Sequence, residues 1–308
     1  MKRKMNIHLY VTDKCNLNCS HCYNAEWINK EQVKKHLSLE EIIYIINLLY
    51  KKYDVDFHIE GGETFLWEHI YDLLNNIDDN ILKTVTLTTN GTINLLSYTQ
   101  QLEKVNNLRF SVCGHTDELQ KKIRNIPLKP ILDNIQPLVD HNIPINIRMT
   151  LHKGNFDKIL DGIDFFVNKR LFNISIYEFQ NVGRGSLFES LLSMSDSDFQ
   201  IFLELLEKNL SWKKLNNFRI NLNKLRIPAI NSHINDLQAK GFKIKKLETE
   251  HSLTINYNGD IGICPWSIGG DTIAEFDINS FDSQIENLYK TNSFLHSCDH
   301  CSAISIFK

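Results

Sequence analysis

Polar and apolar residues alternate one by one near the start of the chain. In the stretch NIHLYVT, the apolar Ile7, Leu9 and Val11 fall on one face, and His8 and Tyr10 fall on the other. A period of two residues is typical of a β-strand with one buried face. The pattern therefore predicts a strand that begins within the first few residues.

Helical patterns lie between further strand patterns up to about residue 180. The stretch SLEEIIYIINLLYKKY has apolar residues at helical spacing, with Ser38 as the N-cap and Glu41 completing a capping box. Five more strand patterns follow, separated by helical patterns: VDFHIE, TVTLTT, LRFSV, INIRMTL and ISIYEFQ. Alternation of this kind predicts an α/β fold whose parallel strands are joined by right-handed crossovers.

The unusual residues of the sequence come directly after these strands. In a barrel of parallel strands such positions share one rim, where enzymes of this architecture keep their active sites. We therefore expect a partial (β/α)6 TIM-like barrel rather than a flat sheet.

The alternating pattern ends at about residue 225. The stretch SLTINYNGDIGIC predicts a β-hairpin with a tight turn at Asn258 and Gly259. A helix is predicted over residues 280–290. These patterns divide the chain into a partial barrel at 1–225 and a small C-terminal domain at 226–308.

Composition and charge narrow the range of functions. The chain has 308 residues, 42% of them hydrophobic, which is enough for a substantial core. The net charge of −3 argues against a nucleic-acid partner. The basic start MKRKMNIHLY is not followed by a long apolar run, so we expect neither a signal peptide nor a membrane anchor, and a cytoplasmic location.

Three of the seven cysteines lie together in CNLNCSHCY, at residues 15–23. In a reducing compartment, closely spaced cysteines more often bind metal than form disulfides. Thiolates favour zinc, copper(I) or iron–sulfur clusters. Zinc completed by a histidine such as His21 is one interpretation. The other is a [4Fe–4S] cluster, in which three cysteines leave one iron open for a ligand.

The C-x3-C-x2-C spacing followed by an aromatic residue, after the first strand, resembles the radical S-adenosylmethionine (radical SAM) enzymes. The stretch GGE after the second strand resembles the segment that binds the methionine amino group in that family. The resemblance implies that the open iron is chelated by S-adenosylmethionine. Reductive cleavage then gives a 5′-deoxyadenosyl radical, which abstracts a hydrogen atom from the substrate.

The resemblance also assigns roles to individual residues. Cys15, Cys19 and Cys22 would hold the cluster, and the backbone at Tyr23 would lie near the adenine. The predicted ligands of the methionine amino group are Gly61, Gly62 and Glu63. Thr64 stands where the family usually has proline.

Weaker matches follow at the ends of later strands. Each of them has an ordinary alternative as a turn residue or a strand-end polar group. The candidate cofactor-binding residues are Thr89, Asn90, Ser111, Arg148 and Gly183. Of these, Arg148 would pair with the methionine carboxylate through both guanidinium nitrogens.

A second set of cysteines, Cys264, Cys298 and Cys301, lies near the C-terminus. The set resembles a shortened SPASM or twitch domain, which implies an auxiliary [4Fe–4S] cluster. The upstream cysteine usual in that domain is absent. The open choices for the fourth ligand are His251, His296, His300, a substrate group or none. Zinc held by three cysteines and a histidine, or inert buried thiols, are the alternatives.

Cys113 belongs to neither set and ends the fourth strand pattern. A free cysteine is most often a small buried hydrophobic residue. The alternative is a hydrogen-atom donor that quenches a peptidyl radical in an epimerase.

The resemblance implies a peptide-modifying enzyme that acts on a ribosomally made peptide (RiPP maturation) and gives a crosslink or an epimerised residue. The expected partners are a precursor peptide and an electron donor such as flavodoxin or ferredoxin. Because the first strand begins at once, we expect any leader recognition to use the rim, the second domain or another protein. The alternatives are a maturase of the anaerobic sulfatase-maturing type and a nucleoside- or tRNA-modifying relative. A third is a non-catalytic zinc-binding interaction protein, in which Glu63 has no role.

Overall fold

A computed structural model describes residues 2–28, 36–208, 215–223, 226–246, 252–263, 272–290 and 302–307. The strands are β1 (Lys4–Tyr10), β2 (Asp54–Glu60), β3 (Val85–Thr89), β4 (Asn107–Val112), β5 (Ile145–Leu151), β6 (Asn173–Glu178), β7 (Asn217–Asn223), β8 (Lys243–Lys246), β9 (Ser252–Ile255), β10 (Asp260–Gly262), β11 (Ala274–Glu275) and β12 (Ser302–Phe307). The α-helices are α1 (Leu39–Lys52), α2 (Ile70–Asn76), α3 (Asp79–Leu82), α4 (Thr99–Leu102), α5 (Asp117–Arg124), α6 (Lys129–Asp140), α7 (Ile159–Val167), α8 (Glu189–Leu192), α9 (Asp196–Lys208), α10 (Ile227–Ala239) and α11 (Phe281–Lys290).

These strands form one sheet in the order β11-β10-β9-β1-β2-β3-β4-β5-β6-β7-β12-β8. Strands β1 to β7 run parallel to one another, and helices connect them, whereas β12 pairs with β7 in the antiparallel direction. The predicted α/β class with a parallel sheet is therefore confirmed. Within the described residues no pairing joins β11 to β8, so the order is open, and curvature into a partial barrel stays a prediction.

The first helix forms where its sequence predicts it. Ser38 accepts a hydrogen bond from the backbone N–H of Glu41 at 3.2 Å, and the Glu41 carboxylate accepts one from the Ser38 N–H at 2.8 Å. This reciprocal capping box satisfies two N–H groups that would otherwise lack partners. The buried face of α1 carries Ile42, Ile45, Ile46 and Leu49.

The two faces of the parallel strands differ in polarity. Buried apolar residues cover one face: Ile7, Leu9, Phe57, Ile59, Leu87, Phe110, Ile147, Ile174, Ile176 and Ile220. Polar residues occupy the alternate positions, including His8, His58, Glu60, Thr88, Arg109, Arg148, Ser175 and Tyr177. Parallel strands are usually apolar on both faces. The polar face therefore indicates a surface that serves a function rather than a second layer of core.

The C-terminal elements extend the same sheet at both sides. Strands β9 and β10 form the predicted hairpin, and Gly259 adopts a φ of +94° in its turn. Only glycine adopts such a conformation without strain. The helix predicted over 280–290 is also present as α11. Because β9 pairs with β1 and β12 pairs with β7, the division at residue 225 stays a prediction.

A search of the described helices for membrane spans finds none that is both long and apolar enough.

Candidate active site

A pocket lies at the carboxyl ends of the parallel strands. Its lining includes most of the site residues that the sequence predicts: Cys15, Cys19, Cys22, Tyr23, Gly61, Gly62, Glu63, Thr89, Asn90, Ser111 and Arg148. Parallel strands place their carboxyl ends on one edge, so residues far apart in sequence meet there. Gly183 and Cys113 are not among the residues that line this pocket.

The three N-terminal cysteines are not joined in disulfides and are partly exposed to the pocket. Burial raises the pKa of Cys22 to about 12 and also raises the pKa of Cys15. Metal binding to such thiols must therefore release protons. Among the described residues, no three His, Cys, Asp or Glu side chains are gathered as for one metal ion. In a cubane cluster each thiolate binds a different iron, so three soft donors around one pocket fit such a cluster.

The end of helix α5 holds the cysteine loop from one side. The Ser20 N–H donates to the Ile123 carbonyl at 2.9 Å, and the Asn125 side chain donates to the Asn18 carbonyl at 3.1 Å. Asn125 has a φ of +60° and ends the helix in the left-handed conformation. The cysteine loop is therefore fixed to the helix end by two separate bonds.

The segment after β6 holds the loop from the other side. Arg184 donates from its backbone to the Cys22 carbonyl and from its guanidinium to the Cys19 carbonyl, both at 3.0 Å. Gly183 has a φ of +57°, and a Cβ there would lie 2.3 Å from the carbonyl oxygen of Tyr23. The close contact between the backbones of residues 183 and 23 therefore requires glycine at position 183. Gly183 thus packs against the backbone at Tyr23 rather than lining the pocket.

The stretch GGE packs directly on the cysteine loop. A Cβ on Gly62 would lie 2.4 Å from the Lys14 carbonyl oxygen and 2.8 Å from Cβ of Cys15. The Gly62 N–H donates to Thr12 at 2.9 Å, and the Glu63 N–H donates to Lys14 at 2.8 Å. The two glycines allow this contact because side chains would not fit between the two backbones.

Glu63 is 1% exposed, and the surrounding backbone and side chains orient its carboxylate. It accepts hydrogen bonds from the Thr89 hydroxyl at 2.8 Å, the Asn90 N–H at 2.6 Å and the Phe65 N–H at 3.2 Å. Burial nevertheless raises the pKa of Glu63. A buried carboxylate that lines a pocket is stabilised by a cationic ligand such as an ammonium group.

Thr64, which departs from the family pattern, has a structural role of its own. Its hydroxyl donates to the Thr88 carbonyl at 2.7 Å. It therefore links the segment after β2 to the end of β3.

Asn90 connects Glu63 to the cysteine loop. While its backbone binds Glu63, its side chain donates to Asn16 at 2.8 Å, and Asn16 donates to the Thr92 hydroxyl at 2.8 Å. The rim after β3 and the loop after β1 are thus joined through amide side chains.

Arg148 lies deeper in the pocket, beside charged and aromatic groups. Its guanidinium is 3.9 Å from the Glu60 carboxylate and 4.2 Å from the centre of the Tyr177 ring. Burial opposes ionisation of Glu60, but His8, whose Nδ1 lies 3.6 Å from the carboxylate, and the charge of Arg148 hold its pKa well below the ordinary value. A charged network therefore lies beneath the rim.

Cys113 is fully buried against Ile123, Phe179 and Leu192. Its thiol lies 3.8 Å from Nε2 of His21, and burial raises its pKa to about 12. The thiol is thus enclosed beside the pocket, an environment that favours the alternative of a buried packing residue over the hydrogen-atom donor.

The predicted second metal site falls outside the described residues. This applies to its predicted cysteines and to the candidate fourth ligands: Cys264, Cys298, Cys301, His251, His296 and His300.

Sequence reasoning missed several residues in and around the site, among them the charged or aromatic Glu60, Arg124, Tyr177 and Arg184. For Glu60 a signal was available, because it continues the polar alternation of VDFHIE and directly precedes GGE. Arg124 stands at a helix end with no local motif, so only its packing against the loop reveals it.

The sequence profile of the family that the cysteine loop and GGE resemble also matches this chain. The profile of the Radical SAM superfamily matches residues 9–166, just over half of the chain. The GTP 3′,8-cyclase of Staphylococcus haemolyticus is 28% identical over 217 residues, which cover 63% of this chain and 62% of the cyclase. The same enzyme of Listeria welshimeri is 28% identical over 183 residues, or 58% and 54%. The chain thus spans less than two thirds of the curated relatives it matches.

Solved structures share the fold over most of this chain. Streptococcus suis SuiB bound to precursor peptide SuiA has a TM-score of 0.71 at 15% identity, covering 91% of this chain and 65% of SuiB. Native anSMEcpe with bound AdoMet has a TM-score of 0.67 at 14% identity, covering 94% of this chain and 82% of its own. Sequence identities of 14–15% show that these proteins share the fold, and they carry no further conclusion.

Proposed function

This chain belongs to the radical SAM superfamily, and we propose that it abstracts a hydrogen atom from a residue of a ribosomally made peptide. The observation that carries the proposal is the contact between the cysteine loop and GGE in one pocket. There Gly62 lies against Cys15, and Glu63 is oriented by Thr89 and Asn90.

Cys15, Cys19 and Cys22 would hold a [4Fe–4S] cluster, which binds S-adenosylmethionine at its open iron. When bound, the two cofactors supply a 5′-deoxyadenosyl radical that removes a substrate hydrogen. The chain's own contribution is to orient them. Glu63 would receive the methionine ammonium through a charge-assisted hydrogen bond. The hydrogen bonds to Glu63 hold its carboxylate in one orientation, an arrangement that lowers the cost of reorganisation on binding.

Arg148 would bind the carboxylate of S-adenosylmethionine. Its guanidinium lines the pocket and lies across the Tyr177 ring, which limits its rotation. Glu60 balances part of its charge at 3.9 Å, a distance that leaves donors of Arg148 able to bind a ligand. Tyr23 would lie near the adenine, as predicted.

A peptide substrate is supported by the structural neighbours. SuiB is described with a precursor peptide, and anSMEcpe with a Cp18Cys peptide. The fold likeness covers 91% and 95% of this chain, respectively. The product proposed is a crosslinked or epimerised residue, and the electron would come from a flavodoxin or ferredoxin. Cys264, Cys298 and Cys301 would hold an auxiliary cluster.

A nucleotide cyclase is the second candidate. It is favoured by the curated relatives, which are named GTP 3′,8-cyclase and are 28% identical. In this case the substrate would be GTP rather than a peptide.

The test is anaerobic reconstitution of the full chain, followed by counts of iron and sulfide per chain. We expect about eight irons with an auxiliary cluster and about four without it. A Cys15→Ala, Cys19→Ala, Cys22→Ala variant should lose about four irons and all cleavage of S-adenosylmethionine by dithionite. The matched control is Cys113→Ala, which should keep the iron.

Substrate class is tested on the same protein. Reduced enzyme would be incubated with GTP, or with peptides encoded next to the gene, and products identified by mass spectrometry. Modified peptide supports the proposal, and a cyclised nucleotide supports the second candidate. Zinc uptake without iron would contradict both.

A further inference from the structure

Arg124 is a buried arginine that lines the same pocket as the three cysteines. Its side chain is 4% exposed, and one guanidinium nitrogen donates to the Ser111 carbonyl. Its Nε is buried and has no hydrogen-bond partner among the described residues. Among the residues that the structure describes, Arg124 takes part in none of the ion pairs. An arginine buried in this way lacks the counter-charge that such burial ordinarily requires.

The groups that can carry negative charge around Arg124 include residues of the cluster site. Burial by itself lowers the pKa of Arg124, but Cys19, Cys113 and Glu63 act against it and the pKa is raised. Cys15 contributes in the same direction. The guanidinium is therefore charged, and the groups whose negative charge would stabilise it lie on the cysteine loop and at Cys113 and Glu63.

The fold prevents Arg124 from moving away from the loop. Its neighbours on both sides bind the loop directly, since Ile123 accepts from Ser20 and Asn125 donates to Asn18. Arg124 is the last residue of α5, and a left-handed residue follows it. The position of the charge is thus set by backbone contacts rather than by the arginine side chain alone.

We propose that Arg124 raises the reduction potential of the cluster held by Cys15, Cys19 and Cys22, an inference that rests on the proposed function. Reduction adds one electron, supplied by a flavodoxin- or ferredoxin-type donor, to a site that already carries thiolate charge. A fixed positive charge in a low-dielectric surrounding stabilises the more negative state. Net charge and hydrogen bonding around the sulfurs are known determinants of cluster potential. Arg124 is therefore a positioning residue that acts through the cluster.

The test is a potentiometric titration of the reconstituted full chain, followed by electron paramagnetic resonance. The signal of the site cluster is identified by its change on addition of S-adenosylmethionine, which binds only to an open iron. Arg124→Gln and Arg124→Met remove the charge, and Arg124→Lys keeps it. Lys121→Gln is the matched control, because it removes a charge from the exposed side of the same helix.

The expected result is a shift of the midpoint to lower potential in both neutral variants. Arg124→Lys should stay close to the wild type, and Lys121→Gln should be unchanged. Loss of iron from the neutral variants, with iron and potential kept by Arg124→Lys, would equally support the requirement for charge.

Two results would overturn the inference. One is a wild-type midpoint in Arg124→Gln at full iron content. The other is loss of iron from Arg124→Lys as well, which would assign Arg124 to packing. A wild-type protein that takes up no iron would overturn the proposed function itself, and with it this inference.

Discussion

The backbone N–H of Asn90 donates to Oε2 of Glu63 at 2.6 Å, across 27 positions of sequence. The hydroxyl of Thr89 binds the other carboxylate oxygen at 2.8 Å. The end of β3 therefore orients the carboxylate that follows β2. A carboxylate held by fixed donors on a neighbouring strand is the arrangement expected of a preorganised recognition group.

Replacing Glu63 by glutamine should weaken binding of S-adenosylmethionine. The amide keeps the size of the side chain but removes the charge that would receive the methionine ammonium. A hydrogen bond to a charged group contributes about 1.5–3 kcal/mol, so we expect affinity to fall about 10- to 150-fold. Isothermal titration of the reconstituted protein measures this directly.

The matched control for Glu63→Gln is Glu68→Gln, an exposed carboxylate five positions later. The affinity of the Glu68→Gln variant for S-adenosylmethionine should equal that of the wild type. Equal affinities for Glu63→Gln and the wild type, at equal iron content, would show that Glu63 does not contact the ligand.

Gly62→Ala should disrupt the cysteine loop and reduce the iron content. The added methyl group would meet the Lys14 carbonyl oxygen at 2.4 Å and Cys15 Cβ at 2.8 Å, and neither can move without shifting the loop. Iron per chain after reconstitution should fall by more than half, with the far-ultraviolet circular dichroism retained.

Gly162→Ala serves as the control for Gly62→Ala. This glycine lies in α7, and the new methyl group would meet the flexible end of Met149 at 3.3 Å and the His115 ring at 3.5 Å, without touching any backbone atom of the cysteine loop. Iron content should stay at the wild-type value. Full iron in Gly62→Ala would refute the idea that this contact positions Cys15.

Local patterns were sufficient to predict strands β1 to β6, the capping box of α1 and the hairpin turn at Gly259, but not β7, β8, β11 and β12. Each of the predicted features depends on residues close together in sequence, where periodicity and turn chemistry act. The positions of Arg124 and Arg184 could not be predicted in this way. Arg184 binds the Cys19 carbonyl across 165 positions, a contact set by tertiary packing. Glu60 is an intermediate case. The alternation of VDFHIE predicts its position, but its charged partners Arg109 and Arg148 lie on other strands and could not be predicted from local sequence.

Glu60→Gln should destabilise the fold in a pH-dependent manner. The carboxylate is 4% exposed and lies 3.9 Å from both Arg109 and Arg148. Its removal therefore deprives two buried guanidinium groups of this negative charge. Removing one member of a buried charge pair costs about 3 kcal/mol or more. Urea unfolding of the metal-free protein at pH 7 would measure this difference.

The sign of the pH dependence follows from the lowered pKa of Glu60. The stabilisation is fully present above the unfolded value of about 4.3 and is lost as pH falls below it. The difference between wild type and Glu60→Gln should therefore be constant from pH 7 to pH 5 and smaller by about 1 kcal/mol at pH 3.5. Glu103→Gln, at an exposed position, should show no difference at any of these pH values. A difference that grows on acidification would contradict the assignment.

Cys113→Ala should leave hydrogen return to the substrate unchanged. Its thiol is fully buried among Ile123, Phe179 and Leu192, and it does not line the pocket where a substrate radical would form. We therefore expect the variant to keep its iron and its rate of S-adenosylmethionine cleavage, and to lose about 1 kcal/mol of stability from the small cavity. Turnover of the peptide substrate in D2O gives the decisive measurement, because a hydrogen atom from an exchangeable thiol carries solvent deuterium into the product. Equal deuterium content in the products of wild type and variant would establish a packing role. Loss of solvent deuterium in the variant alone would instead identify Cys113 as the donor, and would require the residues around it to open during turnover.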